Sequence, residues 1–457
     1  MLEVRAWFGP GGMVYRWEDN PMLWYRPVLS CGWIVAVAAL LAAQEGTQNP
    51  QPMPEFKWPT NIAGKGVQEW LKEVDDPDPG KREMALNTLP AFGPDVIKIC
   101  SRKIVERMRN EKDPSVRMAA YRTAVTLGLD DRDWKDAITI LANAVDQGVP
   151  GSQTRLAAVQ ALAALGPKAE SAVSALTGVV CQDPSYVIRQ AVANALGQVG
   201  GNETYGPNVR ALNRLAGTLA SDIAAAVRME ALQSLVLLGP PWTGRRNKPQ
   251  DPPPIDWKQA AYVADRMRER LSSPKGKRGE FDPQIEIWVR VVLMRFDPKE
   301  IGDTHLNAIA KHLTSSELGP RLQALQALSL FAEQAARGKR LEAVAQLLPA
   351  DSLTNVQTIN PIEFNLVLTC LVSMGKEAQG VLPTLEKLEK TFEKLRDKRM
   401  QEEDFKRAVM NLGPKQTREQ LIASLPEEQL RLSVAQAIKY IRKPELRLSE
   451  VPMGKKP

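Results

Sequence analysis

The sequence contains little of the material from which catalytic and metal sites are commonly built. Its 457 residues include two histidines and four cysteines, and no glycine-rich phosphate loop is present. Metal sites use clusters of His, Cys and carboxylates, and nucleotide sites use glycine-rich turns. With 44% hydrophobic and 25% charged residues, the chain is expected to fold rather than to be disordered, collagen-like or stapled by disulfides. We therefore expect no catalytic residues, no cofactor and no metal.

The charge balance argues against nucleic acid as a partner. The formal net charge is +7 and the pI is about 9.1, which is a small excess for a chain of this length. Nucleic-acid binders usually carry more positive charge, concentrated on one face. The sequence favours a protein or peptide partner.

The first 60 residues are typical of a targeting segment followed by a linker. An uncharged apolar run extends from Val28 to Ala43, after Arg26, and the stretch 44–60 is polar and proline-bearing. Sixteen apolar residues fall short of the roughly 20 that span a bilayer, so 1–43 is interpreted as a signal peptide cleaved after Ala43. Met22 is suspected to be the true start of translation, because it would give the signal peptide a short basic N-terminal region of the usual kind. We expect export to the periplasm or medium; the alternative is a membrane anchor formed by 28–43.

A repeat begins after the linker. Apolar residues follow the helical period of 3.6 throughout, and no strand pattern is long enough to predict a sheet. Five blocks align without gaps, each with arginine at its second position and glycine at its thirteenth: 81–93, 116–128, 154–166, 188–200 and 227–239. The glycines are 35, 38, 34 and 39 residues apart. We expect each glycine to relieve a left-handed helix end and the preceding Asp, often Asp-Pro, to cap the helix.

These blocks resemble HEAT repeats, as in Asp113-Pro114-Ser115-Val116-Arg117. The resemblance implies an all-α superhelix of about nine helical hairpins, with second helices lining the concave side. It also implies an Asp and Arg ladder between repeats, so the second-position arginines are interpreted as structural. Weaker copies align at 285–297, 320–332, 363–375 and 401–413. The domains are then repeats 1–5 (61–239), a proline-rich basic insertion (240–256), degenerate repeats 6–9 (257–413) and a helical cap with a tail (414–457).

The pattern predicts which positions of each block face a partner. Positions one, four, five, eight, nine and twelve form the predicted buried stripe, so position seven should face the groove. The seventh residues are Asn87, Arg122, Gln160, Asn194 and Gln233, followed in the weaker copies by Val291, Gln326, Thr369 and Arg407. The third residues are Glu83, Met118, Leu156, Gln190 and Met229. We expect an uncharged groove of amides flanked by apolar side chains, which suits a peptide or protein; packing onto neighbouring repeats is the alternative.

Further candidates lie outside the regular blocks. The insertion 240–256 carries Trp242, Arg245 and Arg246, and it is either an arm for an acidic partner or a solvated spacer. His305 and His312 have no acidic or cysteine partner nearby in the sequence and are expected to be surface or packing residues. Cys100, Cys181 and Cys370 are expected to be buried and unpaired.

The leading functional hypothesis is an exported, non-catalytic scaffold that binds a protein or peptide. The runner-up is an enzyme, since some similar HEAT-like families are bilin lyases or DNA glycosylases. A glycosylase needs a basic groove, whereas only Arg122 and Arg407 occupy groove positions here. A membrane-tethered scaffold is the third hypothesis.

Overall fold

The computed structural model describes residues 58–201, 207–239, 257–272, 282–349, 353–410 and 418–444. The predicted leader, most of the linker and the insertion 240–256 lie outside these residues. The chain divides into the unit Met1–Glu55, which lies wholly outside them, and the unit Phe56–Pro457. The fold below is that of the second unit.

The described residues are almost entirely helical, which confirms the all-α prediction. Two short strands, β1 (Asn61–Ile62) and β2 (Lys65–Gly66), pair antiparallel before the first helix. The first ten helices are α1 Val67–Glu73, α2 Pro79–Thr88, α3 Ile97–Asn110, α4 Pro114–Leu127, α5 Asp131–Asp146, α6 Gln153–Leu165, α7 Val173–Val179, α8 Tyr186–Val199, α9 Val209–Ser221 and α10 Ala225–Leu238. The remaining helices are α11 Trp257–Ser272, α12 Pro283–Phe296, α13 Asp303–Ala310, α14 Leu318–Leu330, α15 Ala332–Ala335, α16 Lys339–Ala345, α17 Pro361–Met374, α18 Leu382–Met410, α19 Arg418–Ser424 and α20 Pro426–Arg442.

These helices form hairpins that stack side by side. The second helices pack each on the next in the order α2, α4, α6, α8, α10, α12, α14, α17 and α20, and the first helices α3, α5, α7, α9 and α11 form a parallel layer. Residues 401–410 lie in the long first helix α18, which packs on α20. The alignment of 401–413 as a second helix therefore differs from the structure, and the predicted cap contains the last second helix.

The buried stripe is centred one position away from the prediction. Positions five, six and nine are buried in all five strong blocks, as with Ala158, Val159 and Leu162. Position four was predicted to be buried, but Met84 there is 59% exposed and Glu230 is half-buried. The physical reason is that each inner second helix contacts its own first helix and two neighbouring second helices, which broadens the buried face toward position six.

Direct contacts hold neighbouring second helices close together. The buried Thr123 hydroxyl donates to the Leu86 carbonyl of the preceding second helix, and Ser234 donates to the Ala193 carbonyl, each at 2.9 Å. A Cβ at Gly197 would lie 2.6 Å from the Ser234 side chain. Small residues at this contact therefore allow the helix backbones of α8 and α10 to approach each other.

The block-ending glycines have two different roles. Gly93, Gly128 and Gly166 have positive φ, as predicted for a left-handed helix end. Gly200 has φ of −75° and Gly239 has φ of −67°, so the prediction is wrong for these two. A Cβ at Gly200 would lie 2.8 Å from the Ala211 side chain, so glycine is needed there for close packing.

Three of the five second-position arginines in the strong blocks, Arg82, Arg155 and Arg189, join consecutive repeats, and we call the whole set of second-position arginines the arginine ladder. Arg189 donates to the carbonyls of Asp183 at 2.8 Å and Pro184 at 3.2 Å, in the turn before its own helix. It also donates to both carboxylate oxygens of Asp222, at 2.7 and 3.1 Å, in the corresponding turn of the next repeat. Both side chains are buried. One guanidinium thus fixes two turns relative to each other.

The same arrangement recurs along the array. Arg155 donates to the carboxylate of Asp183 at 2.7 Å, and Arg82 makes a two-pronged pair with Glu111 at 2.9 Å. Arg321 donates to Glu363 in a weaker copy. These contacts confirm the structural interpretation for Arg82, Arg155 and Arg189. The role of Glu111 is not predicted by the Asp-Pro motif, which begins two residues later at Asp113.

The aspartates also begin the second helices, as predicted. The Asp78 carboxylate accepts from the Gly80 backbone N–H at 3.0 Å, and Asp113 accepts from Ser115 at 2.8 Å. These contacts satisfy donors that a helix start leaves free.

Each arginine–carboxylate pair between two repeats is one rung of the arginine ladder, and breaking one rung should destabilise the stacked repeats. We predict that Arg189→Gln lowers the free energy of unfolding by about 3 kcal/mol, because it leaves the buried Asp222 carboxylate without its cation. Arg210→Gln removes the same charge from an exposed position of α9 and should change stability by less than about 0.5 kcal/mol. Urea unfolding followed by circular dichroism measures both, and equal effects would contradict the structural role.

The rungs should also make stability depend on acid pH. Burial raises the pKa of Asp183 and Asp222, but hydrogen bonds from arginine and backbone N–H groups outweigh it and leave both values below the ordinary 3.8. Because the folded pKa is depressed, this stability is present above the unfolded pKa and is lost as pH falls through the folded value. We predict a falling melting temperature below about pH 4, with a shallower fall in Asp222→Asn. Parallel curves for the two proteins would refute the assignment.

Candidate partner-binding surface

The seventh side chains lie outside the core on consecutive second helices. Asn87, Arg122 and Gln160 are exposed, and Asn194 and Gln233 are half-buried. The half-buried third residues lie one turn earlier on the same helices: Glu83, Met118, Leu156, Gln190 and Met229. We call these two sets together the second-helix face.

The face carries more charge than the sequence suggested. Glu230 accepts a hydrogen bond from the Asn194 amide at 2.8 Å and lies 3.5 Å from the Gln190 amide nitrogen. The expectation of an uncharged groove is therefore wrong here, because Glu230 was assigned to the buried stripe. The pair also links α8 to α10 across the face and holds the Asn194 side chain in one orientation.

The weaker copies do not continue the face uniformly. Val291 is fully buried, so its predicted exposure is wrong; α12 is enclosed more completely than the earlier second helices. Gln326 and Thr369 are half-buried. The Arg407 side chain lies outside the described residues. The face is therefore best developed from α2 to α10.

Several sequence candidates fall where the structure gives no description. Trp242, Arg245 and Arg246 of the insertion lie outside the described residues. The interpretation of the insertion as an arm or a spacer remains a prediction.

The histidines belong to packing contacts. His305 lies between Glu300, 3.0 Å from its Nε2, and Arg290, 3.1 Å from its Nδ1. The expectation that His305 has no acidic neighbour is wrong, since Glu300 is five residues earlier. Burial lowers the pKa of His312. Within the described ranges, no three His, Cys, Asp or Glu residues are grouped as metal ligands.

Two of the three described cysteines are buried, as expected. Burial raises the pKa of Cys100 and Cys370 to about 12, so neither thiol is readily ionised. Cys181 is exposed, contrary to the prediction, and lies 3.8 Å from the Thr218 hydroxyl. All three are unpaired.

The part of the chain that the structure describes contains no helix both long and apolar enough to cross a bilayer. The apolar run 28–43 lies outside that part.

Comparisons with known proteins agree with the repeat. Residues 150–236 match the family model described as HEAT repeats, which confirms the resemblance for the third to fifth blocks. No curated protein matches the sequence.

Solved structures of helical proteins are also similar. One crystal structure of an engineered protein is 14% identical, with 82% of this chain and 98% of that chain covered and a TM-score of 0.39. The crystal structure of Kap121p bound to Pho4p is 11% identical, with 84% of this chain and 43% of that chain covered and a TM-score of 0.39.

Proposed function

We propose that this chain of HEAT repeats is an exported, non-catalytic scaffold that binds a protein or peptide through its second-helix face. The observation that carries the proposal is the row of seventh side chains left outside the core on second helices that pack directly on one another. Helices in contact are about 8–10 Å apart, so the face presents polar groups at intervals of roughly three residues of an extended peptide.

The chemistry of the face suits a polypeptide. Amides both donate and accept hydrogen bonds, so Asn87 and Gln160 can pair with peptide N–H and C=O groups. Met118 and Leu156 supply adaptable apolar area beside them. A DNA backbone is disfavoured because Glu83 and Glu230 place carboxylates on the same face as Arg122, where phosphate binding requires cations.

Export is the second part of the proposal and depends on the leader. The apolar run 28–43 has the length of a signal segment, and the linker 44–60 would separate a cleavage site from the first helix. If the leader is retained, the same scaffold is tethered to a membrane.

Partner binding should depend on the exposed amides. The test immobilises residues 44–457 and passes an extract of exported proteins over them. We predict that Asn87→Lys with Gln160→Lys reduces retention of the captured protein at least about 10-fold, because both changes place charge at desolvated contacts. The matched control is Asn110→Lys with Ser174→Lys, at exposed positions of first helices. The proposal fails if both double variants retain the protein equally, or if wild type retains none.

Cleavage of the leader should be visible in the native protein. We predict that the purified protein begins at or near Gln44, because the small residues at 42–43 end the apolar run. N-terminal sequencing decides this. A start at Met1 or Met22 would show that the leader is retained and would favour the tethered form.

A further inference from the structure

The arginine ladder is interrupted between the second and third repeats. Arg117 donates through Nε, at 3.0 Å, and through Nη2 to the Glu111 carbonyl of its own turn. No described carboxylate of the third repeat pairs with it, and its Nη1 has no hydrogen-bond partner among the described residues. By contrast, Arg82, Arg155 and Arg189 each reach a carboxylate of the following repeat. Arg228 resembles Arg117 in bonding only to carbonyls of its own turn among the described residues.

The gap has an identifiable cause in the turn of the third repeat. In neighbouring repeats one acidic residue makes both contacts. Its backbone carbonyl accepts a hydrogen bond from the arginine of its own repeat, and its carboxylate accepts one from the arginine of the preceding repeat, as at Asp183 and Asp222. In the third repeat Arg155 donates to the carbonyl of Gly148, which has no side chain, and more distantly, at 3.4 Å, to that of Asp146, which does not line the cleft. A Cβ at Gly148 would lie 2.2 Å from the Ala144 oxygen. The turn therefore cannot supply the missing carboxylate at this position.

A cleft lies at this gap. It has a volume of about 530 Å³, within the range of small-molecule sites, and it is bounded by α3, α4, α5 and the turn after α5. Arg117 and Tyr121 of α4 line it, together with Asn143, Gln147 and Gly148. It is thus lined by hydrogen-bond donors on two sides.

Tyr121 gives an independent indication of a ligand. Its side chain is 1% exposed, yet its hydroxyl makes no hydrogen bond to any described residue. The hydroxyl oxygen is not enclosed by protein but reaches the cleft that Tyr121 lines, where a ligand can contact it. Tyr121 is the sixth residue of its block, and the sixth residues of the other strong blocks are apolar: Leu86, Val159, Ala193 and Leu232. The unpartnered hydroxyl therefore occurs in the same repeat as Arg117, the arginine without a carboxylate partner.

The charges around the cleft favour an anion. Arg109 and Asp136 also line it and pair with each other at 3.0 Å. Because the charges of Arg109 and Asp136 cancel, Arg117 gives the cleft lining a net charge of one positive unit. The planar guanidinium is suited to a carboxylate, the group that completes the ladder in neighbouring repeats.

We propose that this cleft is a carboxylate-binding site, in which a ligand carboxylate accepts from Arg117 and the Tyr121 hydroxyl. The carboxylate comes either from a small dicarboxylic acid or from an acidic side chain of a polypeptide. No lining residue belongs to the second-helix face, so the site is independent of the proposed partner surface.

The test uses two probes on the chain from residue 44 at fixed ionic strength. Succinate represents a small dicarboxylate, and acetyl-Gly-Glu-Gly-amide represents an acidic side chain. Succinamide and the corresponding glutamine peptide are the neutral controls. Saturation-transfer NMR measures binding, and thermal melting checks that each variant is folded. We expect at least one carboxylate probe to bind and neither neutral control to do so; the probe that binds more tightly identifies the source.

Three variants separate the site from general electrostatics. Arg117→Gln should weaken binding at least about 10-fold, as expected for loss of a charged hydrogen bond. Tyr121→Phe should weaken it about 5-fold without lowering the melting temperature, because the removed hydroxyl has no partner in the unliganded protein. Lys135→Gln removes a charge from an exposed position of α5 that does not line the cleft, and binding should be unchanged.

A further pair of isosteric changes does not alter Arg117. Asn143→Asp with Gln147→Glu brings two negative charges into the cleft and should abolish binding of both probes by repulsion. The proposal is overturned if wild type binds neither probe, if Arg117→Gln binds as well as wild type, or if Lys135→Gln weakens binding as much as Arg117→Gln.

Discussion

The stacking of this protein depends on arginines that bind two turns at once. Each rung combines carbonyl acceptors in its own repeat with a carboxylate in the next, and the rungs Arg155–Asp183 and Arg189–Asp222 are almost wholly buried. A buried charge is tolerated only when its hydrogen-bonding groups are well matched. The ladder therefore fixes the offset between repeats more strictly than apolar packing alone, which tolerates small shifts between similar surfaces. The orientation of the second-helix face follows from that offset.

Much of the fold was predictable because the repeat is a local property of the sequence. Spacing, Asp caps and terminal glycines specify helical hairpins, and their recurrence specifies stacking. Prediction was less successful where a residue's environment depends on the neighbouring repeat. Gly200 was predicted to end its own helix in a left-handed conformation, whereas glycine is needed there for close packing against α9. Likewise, position six became buried because two neighbouring second helices enclose it.

The candidate surface was predictable only in part for the same reason. The exposure of Asn87, Arg122 and Gln160 follows from helical period within one block. The position of Glu230 on the face could not be predicted from its own block, because its carboxylate bonds to Asn194 of the preceding second helix. The cleft beside Arg117 was not recognised either, because the feature that distinguishes it is a missing side chain in another repeat. Comparing the residues six or seven before each arginine would have revealed it.

The direction of the ladder has a consequence for synthesis on the ribosome. Each arginine is translated before its carboxylate, which belongs to the repeat that follows: Arg189 precedes Asp222 by 33 residues. Domains emerge and fold from the N-terminus, so when the growing end of the nascent array has reached Arg82, Arg155 or Arg189, it carries a guanidinium whose carboxylate partner has not yet left the ribosome. A charged, hydrated end resists association with other unfinished chains. The rung that later locks two repeats together thus first serves as a temporary polar end for the incomplete solenoid.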